Sequence, residues 1–489
     1  MAEAQHKTLN VEYRTSNIII ESCLIFLLIF TPLALGTVQP WSIFIMRLTV
    51  IVALAAWLTK LLFQPITKNQ ELRTKLERRT LNVELFLLLF LIVALISTLN
   101  SIYKHTSIET FANILCYASV FFLIIHNTRT NKLIQPINVE RRTSNVERNK
   151  LIHRLTTAIL FTSLILGVYG LLQYFHILEL TPRVTPLRVS STYYNSNHYA
   201  GYLAMVTPIP VALFLFSPLS WKTPLYATLS ILLIINLALS YSWGSVAFGI
   251  AVIFLIIMRI RQSKRKVLAT AVALVVLVFF ALLGALVMLG PTPQLPQATL
   301  GERYTRMAQI ANPSLFGRLF MYKKTIPLIL DHPLLGTGPG TFIYAFTRYR
   351  PPGLNLFWNY AHNDYLQIAS EMGFSGLTFF LIFVIISLVK GLSGIGKSTL
   401  SFNKTNDTTM HTKNQTNQTN QMNQMNQTNQ TNQTAILGAW TGILAALLHS
   451  ILDGNLSVVP ANALHFYVLL GVLMGSFRYC KSGKRELNL

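Results

Sequence analysis

The sequence predicts an all-α polytopic membrane protein of about twelve transmembrane helices with one long outer loop. Composition, the spacing of apolar runs and the placement of basic residues all point there. Of 489 residues, 52% are hydrophobic and only 12% are charged, against about 25% charged in soluble domains. Mean hydropathy is +0.47. The 40 Lys and Arg against 17 Asp and Glu leave a net charge of +23, which in a soluble chain would suggest a nucleic-acid partner. In so apolar a chain the excess instead marks one side of a bilayer, and no nucleic-acid partner is expected. Cys23, Cys116 and Cys480 are too few and too scattered for a disulfide framework or a zinc site. Disulfide modules and soluble enzymes are thereby excluded.

A bilayer core asks for roughly 20 apolar residues per helix. Runs of that kind occupy residues 17–35, 42–63, 84–103, 111–125, 155–175, 198–216, 224–241, 243–260, 267–289, 373–388, 435–452 and 460–477. Ala34-Leu35-Gly36 loosely resembles a signal-cleavage site. The first apolar stretch is long and the topology works with it retained, so it reads as an anchor. Basic residues alternate between the connections. Lys68, Arg73, Lys75, Arg78 and Arg79 fall in one, Arg129 to Lys150 in a second, Arg259 to Lys266 in a third, and Arg478 to Arg485 in the tail. The connections between these are nearly bare, so the positive-inside rule places both termini in the cytoplasm.

Two cytoplasmic segments read as filler. A short polar repeat, Asn82-Val83-Glu84, recurs as Asn138-Val139-Glu140 and Asn145-Val146-Glu147. Residues 400–434 end in a tract of Asn, Gln and Thr with too little apolar surface to fold, so a disordered loop is expected. Gly391-Leu392-Ser393-Gly394-Ile395-Gly396-Lys397-Ser398 satisfies the Walker A pattern letter for letter. That motif works only between a strand and a helix N-terminus. Here an apolar helix precedes it, and a juxtamembrane turn is the better reading.

Polar chemistry gathers at the opposite face. The loop at residues 290–360 is too long for a mere connection and carries Arg303, Arg306, Arg318, Lys323, Lys324, Arg348 and Arg350. A cationic pocket there implies an anionic ligand, and Arg forks match phosphate oxygens with two hydrogen bonds. After the loop, Tyr365, Ile368, Ala369 and Met372 follow one helical face, while Asn363, Gln367, Ser370 and Glu371 follow the other. The pattern predicts a short interfacial helix ended by Gly373, with His362 at its start.

These residues resemble a known family. His362-Asn363, nine residues, Gly373, two residues, Gly376 is similar to the His-Asn-x9-Gly-x-x-Gly motif of the O-antigen ligase and O-antigen polymerase superfamily. Asn195-Ser196-Asn197-His198, Gly317-Arg318-Leu319, Pro333-Leu334-Leu335-Gly336-Thr337-Gly338 and His449-Ser450-Ile451-Leu452-Asp453 resemble further family segments in the same order. The resemblance divides the chain into N-terminal helices with basic insertions at 1–192, a ligase-like membrane domain at 193–479 and a cytoplasmic tail at 480–489.

What it implies is a GT-C type glycosyltransferase of the bacterial inner membrane. Such an enzyme moves a glycan from undecaprenyl diphosphate to an acceptor hydroxyl at the periplasmic face, with inversion and with neither metal nor cofactor. The acceptor would be lipid A core, a second glycan or a protein. His362 and Arg318 are the expected catalytic pair; Asn197, His198, Arg348, Arg350, Asn363 and Glu371 are expected to bind substrate. The family usually carries Arg in a Ser-Arg-Gly turn, where this chain reads Tyr241-Ser242-Trp243-Gly244-Ser245. Arg188, Arg348 or Arg350 as a substitute, a different mode of donor binding and an impaired protein all remain open at this point. A multi-span lipid or sugar exporter is the competing reading. It would place ionisable residues at mid-membrane and show internal repeats, neither of which stands out here.

Overall fold

A computed structural model describes residues 2–62, 81–127, 137–181, 188–217, 220–262, 315–350, 358–398 and 416–482. All regular structure among them is helical. The first helices are α1 (Ala2–Leu33), α2 (Pro40–Leu62), α3 (Leu81–Leu99), α4 (Lys104–Asn127) and α5 (Ile137–Tyr174). A broken pair follows, α6 (Ser196–Val206) and α7 (Pro208–Phe216), then α8 (Thr223–Leu239) and α9 (Gly244–Gln262). Next come α10 (Leu315–Asp331) and the short α11 (Phe342–Ala345). The last three are α12 (Asp364–Ser398), α13 (Thr416–His449) and α14 (Pro460–Ser482).

Seven helical segments among the described residues are long and apolar enough to cross a bilayer: Val11–Leu33, Pro40–Leu62, Asn82–Leu99, Lys104–Asn127, Lys150–Tyr174, Ser196–Phe216 and Asp364–Leu392. Thr223–Leu239, Gly244–Met258 and Pro460–Ser476 are shorter apolar helices. The described residues therefore support a multi-pass helical bundle, seven of whose helical segments are long and apolar enough to span. The span expected at 267–289, together with Arg303 and Arg306, lies outside the described residues. Phe44, Leu88 and Ile385 are exposed on α2, α3 and α12, as side chains facing lipid would be.

Packing divides into a large and a small core. The large one runs through the bundle, where α13 lies against α6, α7 and α9, and α12 against α3 and α14. Small residues let these helices approach: a Cβ at Gly442 would meet Met205 O at 1.9 Å, and one at Gly201 would meet Asn455 Oδ1 at 2.3 Å. The small core joins Met321 and Leu328 of α10 to Phe342, Phe346 and Ala361. It packs the α10–α11 segment together as a cap.

Three expectations need correction. Residues 416–434 are not a disordered loop; they form the first half of α13. Helix propagation adds one hydrogen bond per residue once a nucleus exists, and the apolar half of α13 supplies the nucleus. Asn432 and Thr434 at the end of the tract are buried, so the polar residues there gain packing that composition alone does not reveal. The Walker-like stretch 391–398 is helical, the last turns of α12, and forms no phosphate loop. The residues after His362 do not lie as an interfacial helix with one wet face, since Gln367, Ser370 and Glu371 are as buried as Ile368 and Met372.

Gly373 breaks α12 as its position suggests, with φ 67° and ψ −177°. Such a break inside a bilayer frees backbone groups that must be satisfied by protein. The Pro333–Gly338 stretch does this. Thr337 N donates to Ser370 O at 3.0 Å, Gly338 N to Glu371 O at 2.9 Å, and Phe374 N to Pro333 O at 2.7 Å. The Ser97 hydroxyl, 2.7 Å from Leu335 O and 2.9 Å from Glu371 O, ties α3 to the same seam. A Cβ at Gly373 would sit 2.2 Å from the Leu334 carbonyl. Gly373→Ala combines that clash with a positive φ, whose strain alone is worth about 1–3 kcal/mol. The expected outcome is a clear loss of folded protein or a lower melting temperature in detergent; an unchanged melting temperature would contradict the packed seam.

Candidate active site

Three parts of the chain meet at one end of the bundle: α10, the segment leading into α12, and the turn between α13 and α14. Hydrogen bonds fix their register. The Asp364 carboxylate, at the start of α12, accepts from the backbone N–H groups of Asn455, Leu456 and Ser457 at 3.0, 2.9 and 2.8 Å and from the Ser457 hydroxyl. Asp364 N in turn donates to Ser450 O at 2.9 Å, and Asn363 Nδ2 donates to Ile451 O at 2.9 Å. The Tyr322 hydroxyl of α10 lies 2.7 Å from His362 O and 2.8 Å from Ile451 O. Asp364 is thus a latch. It holds the 450–457 turn on the first turn of α12, and the turn delivers Asp453.

Asp453 is 1% exposed and Arg318 3%. One carboxylate oxygen, Oδ2, stands 3.3 Å from Arg318 Nη2, and the other, Oδ1, 3.1 Å from His362 Nδ1. Burial pushes the Asp453 carboxyl up, but the Arg318 guanidinium and the hydrogen bond to His362 outweigh it, so it is held well below the usual carboxylate range. His362 adopts φ 50°, a left-handed conformation that is uncommon for a residue with a Cβ and is held where surroundings over-determine it. Its ring centroid is 4.4 Å from that of Tyr360.

The cation is only partly satisfied. Arg318 Nε and Nη1 are buried and make no hydrogen bond among the described residues, and the same holds for both ring nitrogens of His449 in the last turn of α13. Leaving buried polar groups unpaired is costly. On the other side, Arg188 reaches the N-terminus of α6, where Nη2 donates to Asn197 Oδ1 at 2.5 Å. The His198 Nε2 atom is 3.4 Å from the Tyr360 hydroxyl. Among the described residues no group of three or more His, Cys, Asp or Glu is disposed to share a metal ion, and both Asp453 oxygens are already engaged.

Most of the residues singled out in the sequence come together here. Arg318, His362, Asn363, Asn197 and His198 all line or adjoin the Asp453 cluster. Glu371 does not. Its Oε1 accepts from Phe342 N at 3.1 Å and from Gln367 Nε2 at 2.6 Å, so it organises the backbone beneath the cap. Arg348 is exposed on the 3-10 turn Phe346–Tyr349, and Arg350 follows that turn. Asp453 carries the arrangement, yet the sequence gives it no role beyond membership of a motif. Its signal was an acid in a short turn between two apolar runs. Tyr322 left no such signal.

Residues 228–381, which include Arg318 and His362, match the family model described as O-Antigen ligase. The match covers about a third of the chain and supports a likeness of that part to the O-antigen ligase and polymerase superfamily. Arg188 and Asp453 lie outside the matched stretch. No curated protein matches the chain.

Asp453→Asn would leave Arg318 buried without its counter-charge, which typically costs on the order of 3–5 kcal/mol. A carboxyl held low in the folded state stabilises fully above its unfolded value of about 3.9, and that contribution fades as pH falls toward the folded value. The melting-temperature gap between wild type and Asp453→Asn should therefore be full at neutral pH and narrow in acid. A gap that stays constant down to pH 3 would contradict the ion pair.

Proposed function

We propose that this protein is an inverting, metal-independent glycosyltransferase that moves a glycan from undecaprenyl diphosphate to an acceptor hydroxyl at the periplasmic face of the bacterial inner membrane, as an O-antigen ligase or a polysaccharide polymerase. The observation that carries the reading is the buried Arg318–Asp453–His362 arrangement with two guanidinium nitrogens unpartnered. The match of its central part to an O-antigen ligase family supports it. The distribution of basic residues supports cytoplasmic termini and an outward-facing site.

In this mechanism the His362 ring donates its Nδ1 proton to Asp453, which fixes the tautomer and leaves Nε2 as the base. The acceptor hydroxyl attacks the anomeric carbon from the face opposite the diphosphate, and its proton passes to Nε2. The bond from the anomeric carbon to the diphosphate oxygen breaks, and the electron pair leaves with the carrier diphosphate. Arg318 meets the charge developing on that oxygen with its unpartnered N–H groups, in a site where water does not screen it. Asp453 stays ionised throughout, stabilising the imidazolium that forms and keeping Arg318 in place.

The test uses the full-length protein in proteoliposomes with a polyprenyl-diphosphate-linked glycan and a candidate acceptor. General-base catalysis is worth about 10²–10⁴-fold, and His362→Ala should lose that much in transfer rate. Arg318→Lys keeps the charge but loses the fork, and should be slowed at least about tenfold. Wild-type transfer by either variant, at matched abundance in the membrane, would refute the assigned roles.

A further inference from the structure

Arg47 has no part in the site above, and it stands on α2 where lipid is expected. Phe44, Arg47, Leu48 and Ile51 fall at i, i+3, i+4 and i+7, one face of the helix, and Phe44, Leu48 and Ile51 are all exposed. Arg47 is only partly buried and lies at the edge of that stripe, where α2 packs against α4. Its guanidinium is held to α4 at two points. Nε donates to Asn113 Oδ1 at 2.9 Å and Nη2 to Glu109 O at 2.8 Å. On the α4 side of the seam Ile108 and Leu115 are exposed as well. A cation is thus fixed among apolar side chains that face outward from the bundle.

Both acceptors are neutral, an amide and a carbonyl, and among the described residues Arg47 forms no ion pair. Arg154 of α5 makes the contrast, since Glu21 of α1 answers it at 2.6 Å. A guanidinium does not shed its proton, and charges within a membrane are costly and almost always face the bundle interior. Arg47 faces the other way, so its counter-charge has to come from the lipid. The depth allows this. Pro40–Leu62 spans about 34 Å at 1.5 Å per residue, against a hydrocarbon core of about 30 Å. Arg47 lies about 10 Å along α2 from Pro40, and Glu109 about 8 Å along α4 from Lys104. A side chain so placed reaches headgroup phosphates by snorkelling. Gln39 Nε2, just before α2, donates to the Tyr194 hydroxyl at 2.9 Å, and the Ser107 hydroxyl of α4 donates to Pro339 O at 2.9 Å. This is therefore the end of the bundle that carries the Asp453 cluster.

We propose that the α2–α4 seam is a binding site for one anionic phospholipid, with Arg47 holding its phosphate. Nη1, which makes no hydrogen bond among the described residues, and the second hydrogen of Nη2 form the fork that meets two phosphate oxygens. The acyl chains run over Phe44, Leu48 and Ile51. A net negative headgroup fits better than a zwitterionic one, whose own ammonium already offsets the phosphate. Asn113 is a positioning residue, because its side-chain oxygen sets the angle of the fork. The site stands apart from the transferase reading and does not depend on it.

The experiment places the full-length protein in phosphatidylcholine nanodiscs doped with a photoactivatable phosphatidylglycerol, its diazirine close to the glycerol, or with the matching phosphatidylcholine probe. Labelled peptides are mapped by mass spectrometry, with the exposed stretch 385–389 of α12 as the reference for bulk lipid. Labelling at 44–51 and 108–115, relative to that reference, should be at least about threefold higher with the phosphatidylglycerol probe. Arg47→Gln should bring the ratio to about one, and Arg47→Lys should fall between, because a point charge replaces a fork. Should Arg47→Gln not accumulate, Arg47→Lys decides by the same comparison. A wild-type ratio near one, or a ratio unchanged in either variant, would overturn the site. Two competitors test the occupant. Loss of the enrichment on adding inorganic phosphate would make it a free-anion site. Loss on adding undecaprenyl phosphate, at mole fractions where unlabelled phosphatidylglycerol has no effect, would make it a carrier site. Either result would overturn the phospholipid assignment, and neither bears on His362 or Arg318.

Discussion

A single buried carboxylate, shared between a guanidinium and an imidazole, is the interaction on which this site depends. Asp453 has one oxygen toward Arg318 and the other toward His362. Without it Arg318 would be an isolated buried cation, which proteins rarely tolerate. With it, one guanidinium nitrogen is neutralised and the others stay available. The same carboxylate orients the imidazole. Under the proposed mechanism, one residue thereby couples the leaving-group side of the reaction to the acceptor side.

The rest of the fold exists, in large part, to bring that carboxylate to its two partners across the chain. Arg318 rides on α10 and His362 precedes α12, while Asp453 comes from a turn after α13. None is near another in sequence. The Asp364 latch joins the second and third, and the Tyr322 hydroxyl joins the first to both. Beneath them the break at Gly373 redirects α12, and the carbonyls it frees are taken by Thr337 and Gly338. Backbone groups freed by such a break need partners within the protein where water is excluded. A glycine that looks like a helix stop is therefore also a joint, and the cap over the site is locked to it.

How much of this was legible beforehand varies by kind of signal. Helical spans announce themselves by apolar runs, and those at Pro40–Leu62 and Lys104–Asn127 lie close to where hydropathy puts them. His362, Arg318 and Gly373 stood out because polar or flexible residues near apolar runs carry meaning. Asp453 and Tyr322 did not, because their importance comes from tertiary pairing that no local pattern encodes. Glu371 misled for the opposite reason: an acid on a polar helical face looks like a ligand-binding group until its partners, Phe342 N and Gln367, are seen to be internal. The Asn, Gln and Thr tract misled because composition measures what a segment can bury alone. Its last residues are buried against the bundle instead.

The most direct test of the shared carboxylate is a double-mutant cycle on Asp453 and His362, read as the rate of glycan transfer with protein abundance matched. Groups that act as one unit give losses that do not multiply. Asp453→Asn in the His362→Ala background should therefore cost far less than it does in the wild type. Losses that multiply fully, as for independent sites, would contradict the coupling of base and carboxylate.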